Sequence, residues 1–258
     1  MDEGRIDRQR ERWRRIRQML DLADVREPAF ALGGDGSRVK DLSVRILILP
    51  SDPMAHRLDF DDAFMATWKA IDLDPVTGQP PWWGGSMVTT SESAMRCDPV
   101  DDKFLDQYAA VGHDGRFDVG LAGRTAWEYE GRRVFNLRAI VGRAWAAFEI
   151  YSSLARAVSI AGATELTVAL RGTRDAILGD FGPDWSDPFR SLRGMSICRE
   201  ENVLFRREID DSDGDWPKAA AFSIGGQIEN AFGSSLQRFR RRLDKGFGDF
   251  DAREYSWR

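Results

Sequence analysis

Carboxylates at close spacing are the first chemistry this sequence offers. Asp98, Asp101 and Asp102 precede Lys103, and Asp118, Glu128 and Glu130 fall on adjacent predicted strands near Arg132 and Arg133. A metal-dependent nuclease needs two or three converging carboxylates and often a lysine. Strand pairing could bring Asp118 toward Glu128 or Glu130, and the alternation of a strand sends them equally well to solvent. Asp59, Asp61 and Asp62 also cluster, but at the start of a predicted helix, where the N-terminal dipole favours carboxylates without any metal. His56 and His113 are the sole histidines, and with Cys97 and Cys198 they form no ligand pair at zinc spacing. Both read as loop or turn residues. Neither a Gly-x-Ser-x-Gly elbow nor a phosphate-binding or dinucleotide-binding glycine loop occurs. The expectation is therefore no catalytic residues, no metal and no cofactor.

Recognition chemistry is better represented. Arg8, Arg12 and Arg15 lie in a predicted first helix over residues 5–22, and Arg238, Arg240, Arg241 and Arg242 lie in a predicted last helix over residues 234–245. Such patches are solvated faces, contacts to an acidic partner, or a track for a phosphate backbone. Trp13 sits within the first patch, Trp82 and Trp83 occupy a Pro- and Gly-rich loop over residues 74–86, and Trp185 occupies a second aromatic loop over residues 180–188. Indole joins a large apolar area to one donor, so these four are candidate partner-binding residues; a paired tryptophan on a loop serves equally as a plug packed onto its own domain. The Asp-Phe-Gly string at residues 180–182 is not accompanied by the other protein-kinase motifs and carries no weight.

What must position these groups is legible from periodicity. Residues 136–161 place Leu137, Ile140, Val141, Ala144, Phe148, Tyr151, Ala155 and Val158 at spacings of three and four, with Asn136 as N-cap and Gly162 as stop. This is a long core helix. Residues 44–49, VRILIL, read as a central strand covered on both faces. A helix is expected over residues 60–71 and a meander over 107–136 with its turn at His113, Asp114 and Gly115. Strands follow over 164–170 and 203–209, then a helix from Pro217 through Phe232.

At 258 residues the chain is long enough to bury a core of its own. A net charge of -5 and a pI near 5.3 argue against nucleic-acid binding by the whole surface and leave local basic patches open. Without an apolar run long enough to span or a signal peptide, the expectation is a cytoplasmic protein without membrane contact, its two cysteines reduced.

The segments HDGRFDVGL (residues 113–121), VGRAW (141–145), TVALRGT (167–173) and IENAFG (228–233) together resemble the region following the Alba-type nucleic-acid-binding module in bacterial Schlafen-like proteins. The likeness covers the last three fifths of the chain. It implies an accessory α+β domain in a regulatory or defence protein; the part of this chain ahead of the matching region leaves no clear room for the module itself. The fold expected is α+β: a mostly antiparallel sheet with one long central helix packed across it, a helical N-terminal arm and linker over residues 1–40, and C-terminal helices closing a single domain over residues 41–258. The function expected is a non-catalytic interaction or regulatory module docking a protein partner, or a second copy, through its arm and tryptophan loops. Its alternatives are a nucleic-acid binder using the terminal arginines and a carboxylate-dependent metal nuclease.

Overall fold

The computed structural model of the protein describes residues 38–39, 43–51, 58–71, 83, 86–89, 93–99, 104–122, 125–129, 131–179, 197–209 and 216–233. Their order is β1 (Arg38–Val39), β2 (Val44–Pro50), α1 (Asp62–Ala70), β3 (Ser86–Thr89), β4 (Ser93–Pro99), β5 (Phe104–Gly112), β6 (Phe117–Leu121), β7 (Ala126–Tyr129), β8 (Arg132–Asn136), α2 (Leu137–Ala157), β9 (Thr164–Arg171), β10 (Ile177–Gly179), β11 (Asn202–Ile209) and α3 (Trp216–Ala231). The predicted first and last helices, and with them Trp13 and all seven candidate arginines, lie outside the described residues.

The class is α+β. One large sheet runs β11-β9-β2-β6-β5-β4-β3, every neighbour antiparallel, with β1 alongside β5 in parallel. β2 lies inside it between β6 and β9 and is buried along its whole length. Val44, Ile46 and Ile48 align with Leu121, Val119 and Phe117 on one side and with Leu170, Val168 and Leu166 on the other. These rows form the sheet face that packs with α2 into the main core. Alternation puts Arg45 and Leu47 on the opposite face.

The 107–136 region departs from a single meander. β5 and β6 are joined by the expected turn, closed by Gly112 N–H donating to Arg116 O at 2.8 Å and Gly115 N–H donating to Gly112 O at 3.0 Å. Gly115 has φ +75°, which glycine adopts without strain. β7 and β8, however, leave the large sheet. β8 ends on Asn136, the N-cap of α2, and pairs with β10 in parallel, so a separate β10-β8-β7 sheet forms at that end of the helix.

The helix boundaries have local causes. Asp61 caps α1, its carboxylate accepting from Phe64 N–H at 2.8 Å, which accounts for one of the three clustered aspartates as a capping group. α2 stops before Gly162, because Ser159 already adopts φ +60°. Ile160 N–H donates to Ala155 O at 2.8 Å and Ser159 N–H donates to Arg156 O at 3.4 Å, the double closure of a Schellman turn. A left-handed serine is strained where glycine is not. Ser159→Gly is therefore expected to raise stability by about 0.5–1 kcal/mol, read as a higher urea midpoint at unchanged slope.

Candidate functional site

The sequence of β2 carries one charged residue, Arg45, in an otherwise apolar strand, and a charge there must find a partner. Register supplies it. Arg45 stands opposite Gly120, which in turn stands opposite Tyr108, while Asp118 follows two residues away on the same face of β6. Because Gly120 has no side chain, the Tyr108 ring lies flat across β6. A Cβ at Gly120 would fall 2.1 Å from Tyr108 Cε1. The ring thereby brings its hydroxyl to Asp118, donating to Oδ1 at 3.1 Å. From the other side Arg45 donates Nε to Oδ1 at 2.9 Å and a terminal nitrogen to Oδ2 at 2.5 Å.

All three residues are buried, Arg45 at 7%, Tyr108 at 1% and Asp118 at 3% exposure. Burial alone would lower the guanidinium pKa, but the Asp118 charge and hydrogen bond outweigh it, so Arg45 holds its proton more tightly than in water. Burial and then the Asp118 charge push the Tyr108 phenol well above its ordinary value. For an acid whose folded pKa is raised, the unfolded chain releases the proton first. The contribution is fully present below about pH 10 and is lost as pH rises beyond it. Tyr108→Phe should accordingly flatten the alkaline fall in stability relative to wild type, measured by urea unfolding at intervals from pH 8 to pH 11.

Of the carboxylates in the nuclease expectation, Asp118 and Glu128 are the two whose side chains are described, and they lie in different sheets. Asp118 already accepts three hydrogen bonds from groups that hold it in place, and Glu128 stands exposed on β7 of the other sheet. Among the described residues no three His, Cys, Asp or Glu side chains are disposed to hold a metal ion. Asp101, Asp102, Lys103 and Glu130 lie outside the described residues, as does the side chain of Asp98. The arrangement has a structural cost on mutation: Gly120→Ala must displace the Tyr108 ring and its hydrogen bond. We expect a loss of about 2–3 kcal/mol, checked by chemical denaturation, from overpacking plus the broken bond.

The tryptophans divide. Trp82 and Trp185 lie outside the described residues, but Trp83 is fully buried and the structure corrects its assignment as a partner-binding residue. Its ring stacks on Trp68 of α1 at 6.0 Å between centroids, and Trp68 meets Phe117 edge-on at 6.0 Å. Arg96 of β4 sits with Cζ 5.8 Å from the Trp68 ring and 5.7 Å from the Trp83 ring. It donates to the carbonyls of Trp68 at 3.2 Å and Ile71 at 2.5 Å. Arg96 thus caps the C-terminal end of α1 and locks it onto the sheet, a favourable place for a cation.

The remaining candidates are structural. His113 Nδ1 lies 2.5 Å from Leu58 O, and its ring stacks on Phe60 at 4.0 Å, securing the approach to α1. Cys97 and Cys198 are both free thiols and buried. No described helix is long and apolar enough to cross a membrane. Compared with protein-family models, with curated proteins and with solved structures, the chain matches none.

Proposed function

We propose that the chain is a non-catalytic interaction or regulatory module that docks a protein partner through its N-terminal arm and aromatic loops, with Trp13, Trp82 and Trp185 as anchors. What supports this reading is Asp118. The buried carboxylate at the heart of the sheet is neutralised by Arg45 and held by Tyr108, so it builds a rigid platform instead of serving a reaction. Tryptophan is the residue type that dominates binding energy at interfaces. The likeness to the region following the Alba-type module of Schlafen-like proteins supports a place in a bacterial regulatory or defence system.

The test is affinity capture with the intact chain and with Trp13→Ala, Trp82→Ala and Trp185→Ala, each also melted thermally. Loss of one captured protein in all three variants, at unchanged melting temperature, supports the reading. Labelled DNA and RNA form the counter-arm. Anisotropy that falls steeply with salt, and flattens when Arg240, Arg241 and Arg242 become alanine, replaces it with nucleic-acid binding through the terminal arginines Arg8, Arg12, Arg15, Arg238, Arg240, Arg241 and Arg242.

A further inference from the structure

The face of the large sheet turned away from α2 is shielded from water. Register and alternation put Leu47, Met95, Cys97, Tyr108 and Thr167 on it, together with the Arg45–Asp118 pair. Met95 is 0% exposed, and Leu47, Cys97, Tyr108 and Thr167 are at 1% each. An antiparallel sheet face open to solvent does not bury its side chains so completely. Yet α1, α2, α3 and the small sheet all feed the core on the other face, whereas the cluster around Met95, Cys97 and Tyr108 is built from strands of the large sheet and the end of β6. The shielding stops at the sheet edge, because Leu204, on the same face of β11, is 43% exposed.

The longer internal stretches outside the described residues start or end on the α2 side. Residues 52–57, 72–82 and 210–215 are bounded by Leu58, Ile71, Trp83, Ile209 and Trp216, which belong to that core or pack on it. Residues 180–196 run from β10 to Ile197, which bridges back to Ile177 of the same strand. The two termini remain. Resting on the reading above, in which the arm reaches out to a partner, we infer that the C-terminal segment, residues 234–258, lies across this second face over β4, β5, β6, β2 and β9. Gly233, at φ +58° with its N–H donating to Asn230 O at 3.0 Å, turns the chain where α3 ends. Leu236, Phe239 and Leu243 then recur at helical spacing, and Phe247, Phe250, Tyr255 and Trp257 follow, which supplies the apolar surface that the face requires. Because Arg45 answers Asp118, an apolar cover strands no lone charge. At 100° per residue Arg238, Arg241 and Lys245 fall opposite the Leu236–Phe239–Leu243 stripe, so the same packing holds a basic ridge toward solvent.

The two buried thiols report on the two faces, Cys97 beneath the proposed cover and Cys198 in the α2-side core. The experiment is alkylation of the full chain with N-ethylmaleimide, each cysteine followed by peptide mass spectrometry. In wild type both should react slowly. In the triple variant Leu236→Asp, Phe239→Asp and Leu243→Asp, Cys97 should react about 10-fold faster or more, as the face opens more often, while Cys198 keeps its wild-type rate. The arm variant Ile16→Asp with Leu20→Asp should change neither. A wild-type Cys97 that reacts freely overturns the inference. So does a C-terminal variant that leaves Cys97 protected or releases both thiols together, and either result leaves the reading of the arm standing. Release of Cys97 by the arm variant overturns the inference and the arm's partner role with it.

Discussion

Asp118→Ala is expected to cost the fold about 3–5 kcal/mol, because it strands the Arg45 charge in the sheet interior with both of its carboxylate bonds gone. A loss of that size is a large share of the net stability of a single domain, so the variant should melt far below wild type or fail to accumulate. The comparison that isolates the charge is the double variant Arg45→Met with Asp118→Leu. Removing both partners takes away the attraction and also the two desolvation penalties, so the double variant should recover most of the loss despite carrying more changes. If Asp118 were instead a functional carboxylate, Asp118→Ala would leave stability near wild type. Circular dichroism melts and urea curves of the two single variants and the double settle the point.

Trp83→Ala should be the other severe substitution, at about 3–5 kcal/mol, the range for emptying an aromatic site in a core. Trp83 is entirely buried, and its ring forms one wall of the Arg96 site. Its loss opens a cavity beside Trp68 and removes one of the two faces on which the guanidinium rests. Trp83→Phe, which keeps a ring in the space, should retain a substantial part of that stability. The diagnostic is a drop in melting temperature together with faster proteolysis of the α1 region. A Trp83→Ala variant that melts like wild type would instead return this residue to the surface-anchor group.

Several features were legible in the residues alone because they depend on local pattern. The apolar stripe from Leu137 to Val158, the run VRILIL and the glycine turn at 113–115 each occupy a single element, where period and turn chemistry decide the outcome. The clustered aspartates were likewise explained by the helix they precede, and Asp61 accepts the capping bond. β3 and β4 were not legible: short segments such as SMVT and SAMRCDP have little alternation, and pairing with β5 is what makes them strands.

The sequence by itself determined an α+β class, a well-capped core helix and a buried central strand, since burial periodicity is written along the chain. It also contained the signal of the buried ion pair, one arginine inside an apolar strand, without naming the partner. Only the tertiary structure decided that Asp118 and Tyr108 answer Arg45, that Trp83 plugs the core, and that β7 and β8 form a separate sheet. Those outcomes depend on register between strands distant in sequence. A shift by one residue would turn Arg45 or Asp118 to the opposite face, and no local propensity carries that information.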